Sequence, residues 1–280
     1  MKLRSLLFAP AAEERRLRRA FAAGADGVIA DLEDSVAPDA KRDARAIAER
    51  VLADVGAGAA RLLRINGVET EDFAEDLELA RRLQLDAIVL PKATPETVAA
   101  LGGSGPPLVA IVETSGGLQR SAQIAGCRRV AALALGAVDL ATELGLEPRP
   151  DELEILYARS KLVIDSAAAG IRSPFDVVHP DYSDLEGLER SSRTARSLGF
   201  RGKLCIHPGQ VPVVNRVFTP TDQELSWARR VVDAYAEAAE NGRGVLALDG
   251  RMIDMPVVER ARRILEESQE RQGGSNEWRP

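Results

Sequence analysis

Short runs of apolar residues alternate along the chain with longer stretches in which apolar positions recur every three or four residues. The short runs are SLLFAP (5–10), GVIADLED (27–34), RLLRIN (61–66), AIVLPK (87–92), LVAIVET (108–114), VAALALGAVD (130–139), FDVVHP (175–180) and KLCIHP (203–208). Nearly continuous apolar runs of this length predict parallel strands covered on both faces, because an antiparallel strand with one wet face would alternate. Between them the helical period predicts helices over 13–23, 40–53, 71–83, 95–101, 118–126, 151–169, 185–198 and 209–217. Pro95 fits a first helical turn, and Thr70 followed by acidic residues marks the start of the helix over 71–83. Gly24, Gly170 and Gly199 stand just past helix ends, where the backbone turns left-handed.

Eight strand-then-helix units predict an α/β fold, a closed (β/α)₈ TIM barrel, over residues 1–220. An open doubly wound sheet is the alternative, and the lack of a chain-wide GxGxxG counts against it. Residues 221–280 read as a C-terminal arm: a helix over 221–240, a turn at 241–244, a hairpin over 244–256 and a last helix over 257–268. Asp249-Gly250 is the hairpin's turn signal, and QGGSNEWRP (272–280) reads as a frayed tail.

Charge narrows the functional classes. A net charge of −6 and dispersed basic runs such as ERRLRR (14–19), a solvated helix face, argue against a nucleic-acid partner. The apolar run at 130–138 is far shorter than the ~20 residues that cross a bilayer. The start MKLRSLLFAP offers no signal-peptide pattern, so a cytoplasmic protein with no membrane partner is expected. Cys127 and Cys205 are too few and too far apart for a disulfide framework or a zinc site, and buried packing is expected of both.

In a barrel, chemistry gathers at the C-terminal ends of the strands. There the sequence places Asp31, Glu33 and Asp34, then Arg64 and Asn66, Lys92, Glu113, Asp139, His179 and His207. Glu113 and Asp139 end neighbouring predicted strands, which lie ~4.8 Å apart, so their carboxylates can converge. Two hard oxygen ligands without His or Cys suit Mg²⁺, and the alternative is that one of them pairs with Arg64 or Lys92. Arg64 offers a planar fork for a substrate carboxylate; it could equally pair with Glu33 across the mouth, and Glu33 could orient it while it binds substrate. Lys92 is the second mechanistic candidate, as a Schiff-base lysine. Both histidines read as loop braces. No GxSxG elbow or Cys-His arrangement occurs, and GGSGPP (102–107) lacks the Lys-Ser/Thr of a phosphate loop.

Ordered over nearly the whole chain are RSLLFAP, GADGVIADLEDSVAPDAK, RIN (64–66), LPKA (90–93), IVETSGGL (111–118), LGAVDLATELG (135–145), HPDYSDLEGL, GFRGKLCIHPGQ and DGRMIDMP (249–256). This set resembles the citrate lyase beta subunit and malyl-CoA lyase group of the hydroxy-acid aldolases. The resemblance implies a Mg²⁺-dependent lyase acting on a CoA or acyl-carrier thioester, with Glu113 and Asp139 as metal ligands. It implies Arg64 at the substrate carboxylate, the backbone of Gly136 and Ala137 as the rest of a 2-keto acid such as oxaloacetate, and Asp254 as acid/base on the acyl carbon. It also implies a homotrimer or homohexamer in which the arm completes a neighbour's site; Asp254 as a plain helix cap is the alternative. Ala11-Ala12-Glu13-Glu14 departs from the family's pattern after the FAP element, which leaves the choice between free CoA and a carrier protein open.

The leading function is therefore carbon–carbon cleavage of a citryl-CoA or malyl-CoA type of substrate. Hydrolysis of a malyl-CoA-like thioester is the second enzymatic reading. A purely structural subunit of a lyase complex is the third, and it has no need of Arg64, Glu113, Asp139 and Asp254.

Overall fold

Eight parallel strands close into a barrel in chain order, from β1 beside β2 round to β8 beside β1. The structure is a computed structural model and describes residues 3–269; the tail expected at 272–280 lies outside them. The described chain divides into two units, residues 3–218 and 219–269.

The first unit runs β1 (Ser5–Pro10), α1 (Glu14–Phe21), β2 (Gly27–Asp31), α2 (Lys41–Asp54), β3 (Ala60–Arg64) and α3 (Phe73–Arg82). It continues with β4 (Ala87–Leu90), α4 (Pro95–Ala100), β5 (Leu108–Val112), α5 (Ser115–Gln119), α6 (Ser121–Ala125), β6 (Val130–Leu135) and α7 (Ala137–Leu144). It closes with α8 (Leu156–Ala168), β7 (Arg172–Asp176), α9 (Leu185–Leu198), β8 (Gly202–Cys205) and α10 (Val211–Val217). β2, β4, β5, β6 and β8 are buried along their whole length, as their unbroken apolar character requires. The register sets Pro10, Asp31 and Arg64 side by side across β1, β2 and β3, and Val112 level with Leu135 across β5 and β6. The ends of β5 and β6 therefore deliver Glu113 and Gly136 to the same height.

Several expected boundaries move, each for a local reason. The run over 130–139 is not one strand: β6 ends at Leu135, Gly136 breaks it, and α7 begins at Ala137 and ends on left-handed Gly145. Asp139 thus stands in the first turn of a helix rather than at a strand end. β7 lies at Arg172–Asp176, earlier than the expected 175–180, so His179 sits beyond it in a loop. The helix expected over 118–126 is two short ones, α5 and α6, hinged at Arg120. Thr70 caps nothing: its hydroxyl donates to the Gly67 carbonyl, and α3 starts at Phe73. Thr94 does cap α4, with Pro95 behind it, and Gly24, Gly170 and Gly199 all have positive φ. Cys205 is buried, whereas Cys127 is only half-buried.

The second unit consists of α11 (Asp222–Glu240), the hairpin β9 (Leu246–Leu248) and β10 (Arg251–Ile253), and α12 (Met255–Gln269). Its own small core gathers Ala228, Val231, Ile253, Val258 and Ala261. Asp249 and Gly250 both have positive φ, the requirement of a two-residue turn that follows strand twist, and Arg230 clamps both Asp249 oxygens at 2.6 and 2.7 Å. Among the described residues no helix is long and apolar enough to cross a membrane.

Candidate active site

Arg64 ends β3 almost buried, lying over the Phe8 ring of β1 at 4.8 Å. Its register partner Asp31 takes it in a two-pronged pair, Nε to Oδ1 at 2.6 Å and Nη2 to Oδ2 at 2.7 Å. Nη1 meets Asp34 Oδ2 at 3.1 Å and lies 2.7 Å from Glu33 Oε2, the latter an ionic contact without hydrogen-bond alignment. The expected partner Glu33 is therefore present but secondary, and Asp31 does the orienting. Burial pushes the Asp31 carboxyl up, but the guanidinium outweighs it and the net shift is down. Behind them the buried Lys41 ammonium donates to the carbonyls of Leu32 and Glu33 and to Asn66 Oδ1, which fixes the loop carrying both acids. Asn66 is part of that bracing: its Nδ2 donates to Leu32 O and to Asp76.

Glu113 follows β5 and is 5% exposed. Its Oε1 accepts the Lys92 main-chain N–H at 2.7 Å. On the far side stands Gly136, where an added Cβ would come within 2.4 Å of Glu113 Cβ and 2.6 Å of its Oε2. Only glycine lets β6 pass this close to the carboxylate. Gly136 also opens α7 without a side-chain cap, leaving the helix's first amides for another acceptor.

Asp139, exposed on α7, joins Arg64, Glu113, Gly136, Ala137, Asp31 and Asp34 around one cavity of about 410 Å³, floored by Phe8, Ile111, Leu135 and Leu204. Burial is the main cause that pushes the Glu113 carboxyl up to about 7, and the Asp139 charge adds to it, although the Lys92 amide and Arg64 oppose. Glu33 is pushed up to about 8, first by burial, then by Asp34 and Glu113 against the pull of Arg64. The mouth holds more negative charge than Arg64 balances. Among the described residues no group of three or more His, Cys, Asp or Glu is placed to hold a metal; the site offers the two carboxylates of Glu113 and Asp139.

The Lys92 side chain is half-exposed, with Nζ 3.9 Å from Glu33 Oε1. His207 accepts the Gly209 N–H on Nδ1 at 3.1 Å and stacks with Tyr182 at 5.1 Å; the His179 carbonyl takes a bond from Gln210 Nε2. The His207 ring braces its loop, as its surroundings in the sequence suggest, whereas at His179 the tie is the main-chain carbonyl and the ring Nε2 lies 3.6 Å from Asp184 Oδ2 without a hydrogen bond. Asp254, in the second unit, accepts the Val257 N–H on Oδ1 at 3.3 Å and the Val258 N–H on its carbonyl at 3.1 Å, so it caps α12. The sequence places Asp31 at the barrel mouth but not as the partner of Arg64, and it gives no hint of the Lys92 amide. Asp31 was detectable once β2 and β3 were set in parallel register, which places it opposite Arg64. The Lys92 amide left no signal, because main-chain direction is not written in residue type.

Residues 4–208 match the family model described as HpcH/HpaI aldolase/citrate lyase. The chain is 38% identical over 267 residues to a (3S)-malyl-CoA thioesterase of Cereibacter sphaeroides, covering 94% of this chain and 93% of the relative. It is 34% identical over 280 residues to the citrate lyase subunit beta of Leuconostoc mesenteroides subsp. cremoris, covering 94% and 92%. Among solved structures, the protein CitE from Mycobacterium tuberculosis in complex with magnesium, acetoacetate and coenzyme A superposes with a TM-score of 0.83 at 35% identity, covering 95% of this chain and 98% of that one.

Proposed function

The chain belongs to the HpcH/HpaI aldolase/citrate lyase family, and from that premise we propose that it is a Mg²⁺-dependent carbon–carbon lyase of the citryl-CoA or malyl-CoA type. It cleaves a 3-hydroxyacyl thioester to a 2-keto acid such as oxaloacetate and an acyl thioester, carried on CoA or on an acyl carrier protein. The observation that carries the reading is the convergence of Arg64, Glu113 and Asp139 on one cavity beside the uncapped start of α7.

Mg²⁺ fits this donor set: one or two carboxylates are its usual protein complement, and a Glu113 carboxyl raised first by burial and further by the Asp139 charge is one whose ionised form a divalent cation would stabilise. When bound, it supplies a Lewis acid that favours the deprotonated form of the substrate hydroxyl. Arg64, held rigid by Asp31, presents its remaining N–H groups to the substrate carboxylate. The backbone around Gly136 and Ala137 receives the carboxylate of the keto acid through the amides that open α7 from Ala137 on, since the Gly136 N–H donates to the Val112 carbonyl at 3.0 Å. Asp254 moves the proton at the acyl carbon, giving it to the thioester enolate in cleavage and taking it in the reverse direction. In this reading Asp254 comes from a neighbouring subunit of a homotrimer or homohexamer. Mixing Asp254→Ala with Glu113→Ala subunits then restores part of the activity; mixed oligomers that form and stay inactive would refute the shared site.

Hydrolysis of a malyl-CoA-like thioester is a second reading, favoured by the thioesterase at 38% identity. Product analysis decides between them: a keto acid plus a shorter acyl thioester, or a free hydroxy acid plus thiol. Calorimetry with Mg²⁺ and oxaloacetate tests the site itself. Binding to the wild type and none to Glu113→Ala or Asp139→Ala is the expected result; equal binding by all three would remove the metal site from the reading.

A further inference from the structure

Lys92 carries φ of +47°, and only two other non-glycine residues, Glu152 and Asp249, are left-handed among the described residues. Asp249 has a hairpin turn to account for it, but Lys92 directly follows Pro91 after β4. Left-handed backbone is disfavoured for any residue with a Cβ, and where it persists the surroundings impose it. Here they do so on both sides. The next amide, Ala93 N–H, donates to Ile111 O at 3.0 Å, and Gly117 is packed so closely that a Cβ there would lie 2.8 Å from Ala93 O. With that neighbour fixed, the left-handed twist swings the Lys92 N–H to Glu113 Oε1 at 2.7 Å.

We propose that the main chain at Lys92, rather than its ammonium, is a positioning group that sets the Glu113 carboxylate. Its N–H holds Oε1, and on the other side Oε2 lies in the space that a Cβ at Gly136 would invade, so the amide is the contact that orients the carboxyl plane. The inference rests on the proposed role of Glu113 only for its consequence, a correctly aimed metal ligand. The ammonium is half-exposed and among the described residues its ionic contact is with Glu33 at 3.9 Å, which suits a minor electrostatic part.

Substitution at position 92 separates the two roles, because backbone tolerance and charge rank residues differently. Glycine and asparagine accept a left-handed backbone, whereas β-branched valine resists it while keeping its N–H. The expected order of affinity for Mg²⁺ with pyruvate, by calorimetry, has Lys92→Gly and Lys92→Asn within about 3-fold of wild type and Lys92→Val at least about 10-fold weaker. An order that follows charge, with Lys92→Arg intact and Lys92→Gly as weak as Lys92→Val, would overturn the proposal.

A second measurement needs no metal and no activity. The chain has five lysines, so ¹⁵N-lysine labelling gives a spectrum simple enough to assign Lys92 by its loss in Lys92→Arg. A charge-assisted hydrogen bond shifts the amide proton downfield, and Glu113→Gln moves it back upfield while the other lysine amides stay in place. An unmoved Lys92 signal would show that the bond does not exist. If the wild type binds no Mg²⁺ and keto acid at all, the functional reading fails, and the amide shift alone still decides whether Lys92 holds Glu113. If Lys92→Val does not fold, the comparison of Lys92→Gly with Lys92→Arg decides between backbone and charge.

Discussion

At β7 and β8 the barrel buries Asp176 and Lys203 completely, and at β2 and β3 it buries Asp31 and Arg64 almost as deeply. The first cluster is closed. Asp176 takes Arg159 through Nε at 2.8 Å and Nη2 at 3.1 Å, and it also takes the Lys203 ammonium. Glu152 takes the remaining Arg159 nitrogen at 2.7 Å, and Ser191 links Lys203 to Glu152. Two cations face two carboxylates, and burial's upward push on Asp176 is outweighed by Lys203 and Arg159. The second cluster is open. Arg64 faces Asp31, Glu33 and Asp34, with Glu113 and Asp139 across the same cavity, and there burial wins: Glu33 and Glu113 are pushed up to about 8 and about 7. Buried charge in a strand is thus no sign of a site by itself. Buried charge left unbalanced beside a cavity is.

The largest expected effect breaks the closed cluster. Asp176→Ala strands two buried cations, and losing one partner of a buried pair costs about 3–5 kcal/mol. Denaturant melts are expected to show this loss, with Mg²⁺ and keto-acid affinity unchanged in whatever folds. An Asp176→Ala protein as stable as wild type would erase the contrast between the clusters.

A second, smaller effect sharpens the open cluster. Asp31 uses Nε and Nη2 of Arg64 and Asp34 takes Nη1, so in the proposed role substrate would meet the N–H groups that remain, and an ammonium supplies no such divided fork. Arg64→Lys is expected to lose 10-fold or more in kcat/KM, about 1.4 kcal/mol, with Mg²⁺ binding kept. Unchanged efficiency would make Arg64 a structural partner of Asp31, and the open cluster a second scaffold.

This contrast was only half legible in the sequence. Apolar runs predicted eight strands, the helix over 185–198 matches α9, and Arg64, Glu113, Gly136, Ala137 and Asp139 do share a cavity. The run at 130–139 hid the break at Gly136, because α7 opens with apolar residues that extend the pattern of β6. β7 was placed late because it begins with Arg172, Ser173 and Pro174, none of which looks like a buried strand. Asp176 and Lys203 passed unnoticed as charges inside strands, since pairing among Asp176, Lys203, Arg159 and Glu152 depends on tertiary placement. Which acid orients Arg64 depended on strand register, one step beyond pattern.

The smallest effect is a difference in pH response. Glu113 without metal has its carboxyl raised from 4.5 to about 7, with burial as the first cause. A carboxyl raised by folding favours the unfolded chain once it ionises there, so its contribution is intact below the unfolded value and lost as pH climbs through the folded one. For Glu113 alone the loss between about pH 6 and about pH 8 comes to about 1 kcal/mol. Asp176, held below its ordinary value by Lys203 and Arg159, works the other way: its contribution stands above the unfolded value and is lost only as acid protonates it. The closed cluster therefore governs the acid limb of stability and the open one the neutral limb. Melting temperatures of metal-free protein are expected to fall from about pH 6 to about pH 8. Glu113→Gln, which cannot ionise, is expected to flatten part of that slope, the rest belonging to Glu33, while leaving the acid limb alone. Mg²⁺, if held by the ionised Glu113 and Asp139 as proposed, is expected to raise the melting temperature most at the alkaline end. A wild-type slope that Glu113→Gln leaves untouched would mean that Glu113 already ionises freely in the folded barrel, and that the open cluster is better balanced than its geometry indicates.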